Sequence, residues 1–305
     1  MSRIAVIAHA GKSIAGGLPE LRRTLARHGV TDPLWAEVPK SRKAPKQVRR
    51  LLEQGADHFF VWGGDGMAQR CIDTLAGTGT TVAIVPAGTA NLLASNLGIP
   101  KDIEGAVVTG LEEHERAIDV ASMNGERFAV MAGAGFDADM IGGADGGLKD
   151  RLGRAAYIWT GAKSMRTPPF NASIKVDGVP WYDGPASCVL AGNVGALFGG
   201  VEVFADAAPD DGRLDIAVIT AEGLAEWART VARTVAGRPE RSPFFRVTQA
   251  GKVKIKLDRK VPYEIDGGAR TKAKAYRIAV EPGAITVRVP LSTNGDGGRH
   301  EHHPG

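Results

Sequence analysis

The sequence has few cysteines and no long apolar run. Only two of its 305 residues are cysteines, Cys71 and Cys188, and they lie far apart with no CxxC pair. Such usage is typical of a reduced protein with buried thiols. No apolar stretch approaches the roughly 20 residues that a membrane-spanning helix needs, and the first residues carry no signal-peptide pattern. We therefore expect a cytoplasmic protein.

An excess of one sign of charge is also missing, whereas glycine is abundant. The formal net charge is +4, which permits anionic partners but does not indicate nucleic acid, and we expect no nucleic-acid partner. The 40 glycines predict many tight turns and close backbone approaches, as in strand-rich or phosphate-binding folds. With 43% hydrophobic residues the chain can bury a core, and its length suggests two domains.

The first third of the chain alternates short apolar runs with amphipathic segments. Residues 4–8, 59–62 and 81–85 are predicted strands, and apolar side chains at helical spacing follow each of them. This β-α-β-α order predicts a parallel sheet covered by helices.

From about residue 117 the pattern changes to β-hairpins. Asn124-Gly125 and Asp177-Gly178 each separate two strand-like runs, and such pairs favour type I′ turns. Residues 252–257 alternate lysine with apolar side chains, so one face of that strand is exposed to water. Helices are predicted near residues 154–164 and 223–236.

These patterns predict an α/β domain followed by a mostly antiparallel β domain. The predicted parts are an α/β domain over residues 1–120, a β-rich domain over 121–282, a final strand over 283–293 whose return to the first domain is left open, and a disordered tail over 294–305.

The sharpest candidate for chemistry is the segment Val61-Trp62-Gly63-Gly64-Asp65-Gly66-Met67, which ends a predicted strand and opens a helix. In parallel α/β sheets, ligands bind at that edge. Glycines let backbone N–H groups approach phosphate oxygens, and a helix N-terminus favours negative charge. Asp65 could orient a hydroxyl or bind the cation that accompanies a nucleotide. The alternative is that Asp65 only caps its own helix.

Two further loops are predicted at the same edge of the sheet. Pro86-Ala87-Gly88-Thr89-Ala90-Asn91 follows the next strand, so Thr89 and Asn91 would reach this edge, unless Thr89 is a plain helix cap. His9-Ala10-Gly11-Lys12-Ser13 follows the first strand, where Lys12 could meet a phosphate or be an ordinary surface lysine. The GxxxxGK[ST] spacing of a Walker P-loop is absent.

Together with later segments, these loops resemble the diacylglycerol kinase catalytic-domain family, which includes bacterial lipid kinases and sphingosine kinases. The ordered set is quite specific, although no single motif is decisive, and it spans roughly residues 4–290. The segments are Gly63-Gly64-Asp65-Gly66-Met67 for GGDGT, Pro86 to Asn91 for PxGTxN, Gly133-Ala134-Gly135-Phe136-Asp137-Ala138 for GxGFDA, Asp211-Gly212-Arg213-Leu214-Asp215 for DGxLD, and Asp266-Gly267-Gly268 for DGE.

The resemblance implies a phosphofructokinase-like α/β nucleotide domain and a second, antiparallel β-sandwich-like domain, with ATP in the cleft between them. It implies phosphate transfer to a lipid hydroxyl, with diacylglycerol as the first candidate and phosphatidic acid as product. Asp65 and Asp266 are the expected catalytic residues, and Asp211 matches a structural Mg²⁺ site. The implied ATP-binding residues are Lys12, Gly63, Gly64, Asp65, Gly66, Gly88, Thr89 and Asn91.

Three positions depart from the family pattern. Met67 replaces the threonine of GGDGT, which removes one hydroxyl ligand to phosphate. Leu92 replaces an aspartate that often follows the PxGTxN asparagine. Gly268 replaces the glutamate of DGE, which is the expected general base.

The missing glutamate need not abolish activity. A general base contributes on the order of 10²–10⁴-fold to a rate, while positioning and charge neutralisation usually dominate phosphoryl transfer. Asp65 or Asp266 could take the proton, and strand alternation puts Glu264 on the same face as Asp266. The alternative for Asp266-Gly267-Gly268 is an ordinary hairpin turn.

The sequence is compatible with several partners and with two other functions. Residues 40–50 are strongly basic, either as a solvated surface or as a docking site for an anionic membrane, so we expect a peripherally membrane-associated protein. A homodimer is also compatible with the sequence. The alternatives in function are an NAD kinase, which shares the GGDG turn, and a nucleotide- or lipid-binding regulator with degraded chemistry, which Met67 and Gly268 motivate.

Overall fold

The computed structural model describes residues 2–112, 114–135, 168–197 and 201–291. The predicted helix over 154–164, the predicted tail and residues 136–138 of the GxGFDA segment lie outside the described residues. The helices are α1 Gly17–Arg27, α2 Ala44–Glu53, α3 Asp65–Leu75, α4 Leu92–Asn96, α5 Ile103–Leu111 and α6 Gly223–Val235. The strands are β1 Ile4–His9, β2 Leu34–Val38, β3 His58–Gly63, β4 Thr81–Pro86, β5 Glu115–Met123, β6 Glu126–Phe128, β7 Met131–Ala134, β8 Phe170–Val176, β9 Val179–Ala186, β10 Cys188–Gly192, β11 Ala196–Leu197, β12 Val201–Glu202, β13 Leu214–Ile219, β14 Phe245–Ala250, β15 Lys252–Ile265 and β16 Gly268–Arg288.

The N-terminal part is the predicted parallel sheet with helices. Strands β2, β1, β3 and β4 pair in that order, all parallel. β3 is buried at every residue, as expected of a strand covered on both faces. The edge strand β2 escapes sequence prediction because Ala36 and Val38 are its buried residues, which is too weak an apolar pattern.

One sheet continues from the parallel part into the β-rich part. The strand order is β14-β13-β10-β7-β15-β16-β4-β3-β1-β2. β16 joins the two parts, because it pairs antiparallel with β15 and its last residues pair parallel with β4, through Thr286 and Thr81. The predicted fold class, an α/β domain with a second, antiparallel β-rich domain, is therefore confirmed. The domain limits themselves stay predictions.

Three of the Asx-Gly pairs have the backbone that a type I′ hairpin requires. Both residues have positive φ in Asn124-Gly125 (54° and 89°), in Asp177-Gly178 (49° and 91°) and in Asp266-Gly267 (43° and 76°). The last of these joins β15 to β16, so the Asp266 segment is a hairpin turn as well as a candidate site.

The fold brings the ends of several strands together. His9, Gly63 and Pro86 end β1, β3 and β4 at the carboxyl edge of the parallel sheet. The β15–β16 turn lies opposite this edge across a cleft. Among the described residues no helix has the length and apolar content needed to cross a bilayer.

Candidate active site

A cleft of about 340 Å³ lies between the carboxyl edge of the parallel sheet and the β15–β16 turn. Loops that follow β1, β3 and β4 line one side, and the turn lines the other. The lining residues are His9, Lys12, Ser41, Gly64, Asp65, Gly66, Met67, Gly88, Thr89, Ala90, Asp266, Gly267 and Gly268. The structure thus brings most of the sequence-predicted site residues to one place.

The two glycine loops touch each other backbone to backbone. A Cβ on Gly88 would lie 2.5 Å from the Cα of Gly64, and a Cβ on Gly64 would lie 3.0 Å from the Cα of Gly88. Neither position therefore has room for a side chain. Gly64 and Gly88 both line the cleft, and α3 begins there.

Asp65 braces the neighbouring loop. The Leu92 N–H donates to its Oδ1 at 2.5 Å, at the start of α4. The N-cap of α3 itself is Gly64, which makes no side-chain cap hydrogen bond. The alternative that Asp65 only caps its own helix is therefore wrong. Burial raises the pKa of Asp65 above its usual value, and the N–H donors around the carboxylate offset only part of this rise.

Asn91 and Gly63 support the cleft from behind its surface. The side-chain amide of Asn91 accepts from the Gly88 N–H and donates to the Gly88 carbonyl, both at 2.9 Å, and the residue has a φ of 49°. A Cβ on Gly63 would lie 2.4 Å from the Cβ of Met67. Neither residue is among those that line the described cleft, and the expected nucleotide contact at these two positions stays a prediction.

The loop after β1 contributes Lys12, as predicted, and His9, which sequence reasoning passed over. The Lys12 N–H donates to the His9 carbonyl at 3.2 Å. The Gly11 N–H donates to His9 Nδ1 at 3.2 Å, which places the ring proton of a neutral imidazole on Nε2. The position of His9, directly at the end of a predicted strand, was the signal that could have found it. Ser41, before α2, was also missed.

Asp266 is a buried carboxylate at the cleft. It accepts hydrogen bonds from the N–H groups of Ala129, Val130 and Met131 at 3.0, 3.0 and 2.8 Å. A carboxylate has about four lone-pair sites, so these three donors leave one acceptor site of Asp266. Burial raises the pKa of Asp266 to about 7, against these three donors, and the charge of Asp65 adds to the rise.

The structure shows the surroundings of Met67 and Gly268, two positions that depart from the family pattern, and of Glu264, the candidate substitute base. Met67 is 2% exposed and fills space beside Gly63, so this position supplies no hydroxyl to the cleft. A Cβ on Gly268 would lie 2.6 Å from Nη1 of Arg270. Glu264 is buried and acts electrostatically on Cys188, and the described residues that line the cleft do not include it. The structure therefore does not favour Glu264 as a substitute base.

Asp211 lies away from the described cleft lining. It is exposed, and its Oδ1 accepts the Arg213 N–H at 2.8 Å within a turn. Within the described parts of the chain, no group of three His, Cys, Asp or Glu side chains could hold a metal ion. The Mg²⁺ site at Asp211 stays a prediction.

Comparison with known proteins gives two family models and several relatives. Residues 3–123 match the diacylglycerol kinase catalytic domain, and residues 130–289 match the YegS C-terminal NAD kinase beta sandwich-like domain. The "Probable lipid kinase YegS-like" of Cronobacter sakazakii (strain ATCC BAA-894) is 29% identical over 259 residues, which covers 81% of this chain and 83% of that protein. The diacylglycerol kinase of Bacillus subtilis (strain 168) is 28% identical over 215 residues, with coverage of 69% and 71%.

Solved structures agree with these matches at the level of fold. A diacylglycerol kinase from Bacillus anthracis str. Sterne has a TM-score of 0.74 at 21% identity and covers 96% of this chain and 98% of its own. An NAD kinase from Archaeoglobus fulgidus in complex with ATP has a TM-score of 0.52 at 12% identity, with coverage of 94% and 93%. The resemblance inferred from the ordered motifs is confirmed. The chain belongs to the lipid kinase family that joins a diacylglycerol kinase catalytic domain to a YegS-type C-terminal domain.

Proposed function

We propose that this protein transfers the γ-phosphate of ATP to the hydroxyl of a lipid alcohol, with diacylglycerol as acceptor and phosphatidic acid as product. The observation that carries the proposal is the cleft itself, in which the glycine loops and Lys12 face the buried carboxylate of Asp266. A phosphate donor on one side and a proton acceptor on the other are the two requirements of phosphate transfer to an alcohol.

The glycine loops suit the phosphates of ATP. The backbone at Gly64, Gly66 and Gly88 is exposed to the cleft without side chains, and the N-terminus of α3 adds partial positive charge. Lys12 supplies a full positive charge on the same side. Mg²⁺ commonly binds through one or two carboxylates together with substrate phosphates, which suits a cleft whose phosphate loops carry Asp65. The ion would neutralise phosphate charge there.

Asp266 suits the role of proton acceptor. The hydroxyl oxygen of the acceptor bonds to the γ-phosphorus, the bond from that phosphorus to the bridging oxygen breaks, ADP leaves, and the hydroxyl proton passes to the carboxylate. A pKa of about 7 keeps a large share of Asp266 ionised at neutral pH while leaving it basic enough to take a proton. Asp65 has a different role in this proposal, because its carboxylate holds the second loop in place.

A basic surface beside the cleft supports contact with a membrane. The basic segment, residues 40–50, contains Ser41, which lines the cleft. Its cationic side chains make no ion pair with any described residue, and they are all exposed: Lys40, Arg42, Lys43, Lys46, Arg49 and Arg50. Each basic residue near an anionic surface contributes about 1 kcal/mol. We propose that this segment holds the cleft at the bilayer that contains the acceptor.

The test of the proposal is transfer of labelled γ-phosphate from ATP to a panel of lipid alcohols and to NAD. We expect label in diacylglycerol. We expect almost none with Asp266→Asn, and full transfer with Asp183→Asn, which changes an exposed acid on β9. Label in NAD alone would instead indicate an NAD kinase. A rise in melting temperature with ATP, but transfer to no acceptor, would indicate a regulator.

A further inference from the structure

A charged bridge joins helix α3 to the start of β16. Glu126 of β6 is its centre: its Oε1 lies 2.9 Å from Nη1 of Arg70, and its Oε2 accepts from Nε of Arg270 at 2.7 Å. Nη2 of Arg270 also donates to Oε1. The side chains are only 16% to 30% exposed, so the bridge is partly shielded from water. We call these three residues the Glu126 bridge.

The bridge connects the two sides of the cleft. Arg70 belongs to α3, whose first residue is Asp65. Arg270 belongs to β16, which begins two residues after Asp266. The guanidinium of Arg270 also donates to the carbonyl of Gly268 at 2.8 Å, so it holds the turn that carries Asp266. Glu126 therefore lies between the element that positions the phosphate loops and the element that positions the proton acceptor.

Gly268 and Arg270 form a matched pair. A Cβ on Gly268 would lie 2.6 Å from Nη1 of Arg270, so a side chain at this position would displace the guanidinium. In this chain the guanidinium lies too close to leave room for the Cβ that a glutamate would have at the third position of the turn. The substitution that removes the expected base is thus accompanied by a cation beside the remaining carboxylate.

The charges of the Glu126 bridge affect the ionisation of Asp266 in the cleft. Glu126 has a lowered pKa, chiefly because Arg270 bonds to it, and stays ionised. Arg270 also interacts electrostatically with Asp266, and this attraction favours the ionised carboxylate. Asp65 opposes it from the α3 side. The other titratable side chains lining the cleft are His9 and Lys12.

We propose that Glu126 is a positioning residue for phosphate transfer. It holds Arg270 against the Asp266 turn, and in this way it fixes the distance from the phosphate loops to the proton acceptor and helps to keep that acceptor ionised. The inference rests on the proposed function for its kinetic consequences, but its structural consequence can be measured without any acceptor.

The test compares Glu126→Gln and Arg270→Met with Glu281→Gln. Glu281 is a matched control, because it forms a similar ion pair between β16 and Arg127, the residue after Glu126, at 2.9 Å. With diacylglycerol in mixed micelles, we expect kcat to fall about tenfold to a hundredfold in both bridge variants while KM for ATP stays the same. In Arg270→Met the acid limb of the pH–rate profile should also move to higher pH, which a purely structural role would not cause.

Hydrogen exchange provides the readout that needs no acceptor. The N–H groups of residues 129–131 are held by the Asp266 carboxylate, so their exchange reports the position of the turn. We expect exchange of these N–H groups to be roughly tenfold faster in both bridge variants. In the Glu281→Gln control the exchange rate should not change. Unchanged exchange in Glu126→Gln overturns the inference, even if the wild type transfers phosphate. A wild type that phosphorylates no lipid, with exchange changed as expected, refutes the proposed function and leaves the bridge supported.

Discussion

The carboxylate of Asp65 accepts a hydrogen bond from the Leu92 amide at 2.5 Å, across 27 positions of sequence. Because Leu92 begins α4, this bond ties the loop after β3 to the loop after β4. The contact between Gly64 and Gly88 lies in the same place. The glycine-loop side of the cleft is therefore a single unit made of two loops, with Asp65 as its internal brace.

Two substitutions of Asp65 distinguish the hydrogen bond to Leu92 from the negative charge of the carboxylate. Asp65→Ala leaves the Leu92 amide without its acceptor, which costs about 1–3 kcal/mol, so we expect a folded but less stable protein without kinase activity. Asp65→Asn keeps an acceptor oxygen and should recover most of the stability. Thermal unfolding and ATP titration measure both effects. Equal ATP affinity in Asp65→Ala and the wild type would contradict the brace.

The Gly64–Gly88 contact predicts a steric effect. Gly88→Ala puts a methyl group 2.5 Å from the Cα of Gly64, so the loops must move apart at a cost of about 1–3 kcal/mol. We expect weaker ATP binding and a lower melting temperature. Gly251→Ala is the control, because its nearest neighbour would be 3.7 Å away and it lies outside the cleft. If both variants bind ATP like the wild type, the loops do not need this contact.

The raised pKa of Asp266 predicts how the rate depends on pH. The proton acceptor must be ionised, so the rate should rise with pH through a midpoint near 7. The contribution of Asp266 to stability changes with pH in the opposite direction to the rate. Because its folded pKa lies above the unfolded value of 3.8, Asp266 stabilises the folded protein at low pH, and this contribution is lost as the pH rises toward 7. Asp266→Asn should remove the acid limb from whatever rate remains. A rate that stays constant from pH 5 to 8 in the wild type would exclude Asp266 as the base.

His58 predicts acid sensitivity of the N-terminal part. It is 4% exposed, and burial, with the charge of Arg288, lowers the pKa of His58 from 6.5 to about 4. Below pH 6.5 His58 is protonated in the unfolded chain but stays neutral in the folded chain. The free energy of unfolding therefore falls by on the order of 3 kcal/mol between pH 6.5 and 4. His58→Phe keeps the stacking on Phe60, whose ring centroid lies 5.1 Å away.

We expect this variant to lose less stability than the wild type across that interval in denaturant titrations. Asp266 contributes with the opposite sign over part of the same range, so the difference between the variant and the wild type is the quantity to compare. The same acid-induced loss in both proteins would show that His58 is not responsible.

The basic segment predicts binding to anionic vesicles. Changing Lys40, Arg42 and Lys43 to glutamine should weaken sedimentation with phosphatidylserine vesicles on the order of a hundredfold, since each basic residue contributes about 1 kcal/mol. Vesicles of phosphatidylcholine alone should bind weakly in every case. The control changes three exposed lysines on the outer face of β8 and β15, Lys175, Lys254 and Lys256. If the control loses as much binding as the test variant, the segment is not the docking site.

Local sequence patterns predicted β1, β3 and β4 of the parallel sheet, the hairpin turns and the glycine loops. These features depend on neighbours in sequence: apolar runs form buried strands, and Asx-Gly pairs adopt positive φ. The Asp266-Gly267 turn is instructive, because the ordinary hairpin and the candidate site are both present in it. Its chemistry comes from the N–H groups of residues 129–131, which lie far away in sequence.

Long-range contacts explain what the sequence did not reveal. Sequence patterns offered Asp65 as a residue that orients a hydroxyl or binds a cation, with a cap of its own helix as the alternative. Only the fold brings the Leu92 amide to its carboxylate. Glu126 and Arg270 lie 144 positions apart, so no spacing rule could pair them. The hydrogen bonds between the Asn91 side chain and the Gly88 backbone were also not predicted, because a motif records which residues recur and not which atoms they contact.

In the proposed reaction, Asp266 accepts the hydroxyl proton of a lipid alcohol at this cleft. The most direct measurement compares the wild type and Asp266→Asn in transfer of labelled γ-phosphate from ATP to diacylglycerol at pH 8, with ATP affinity measured in parallel. We predict transfer by the wild type and a loss of at least about a hundredfold in the variant, with ATP affinity unchanged. Equal transfer by a folded Asp266→Asn protein would contradict the account.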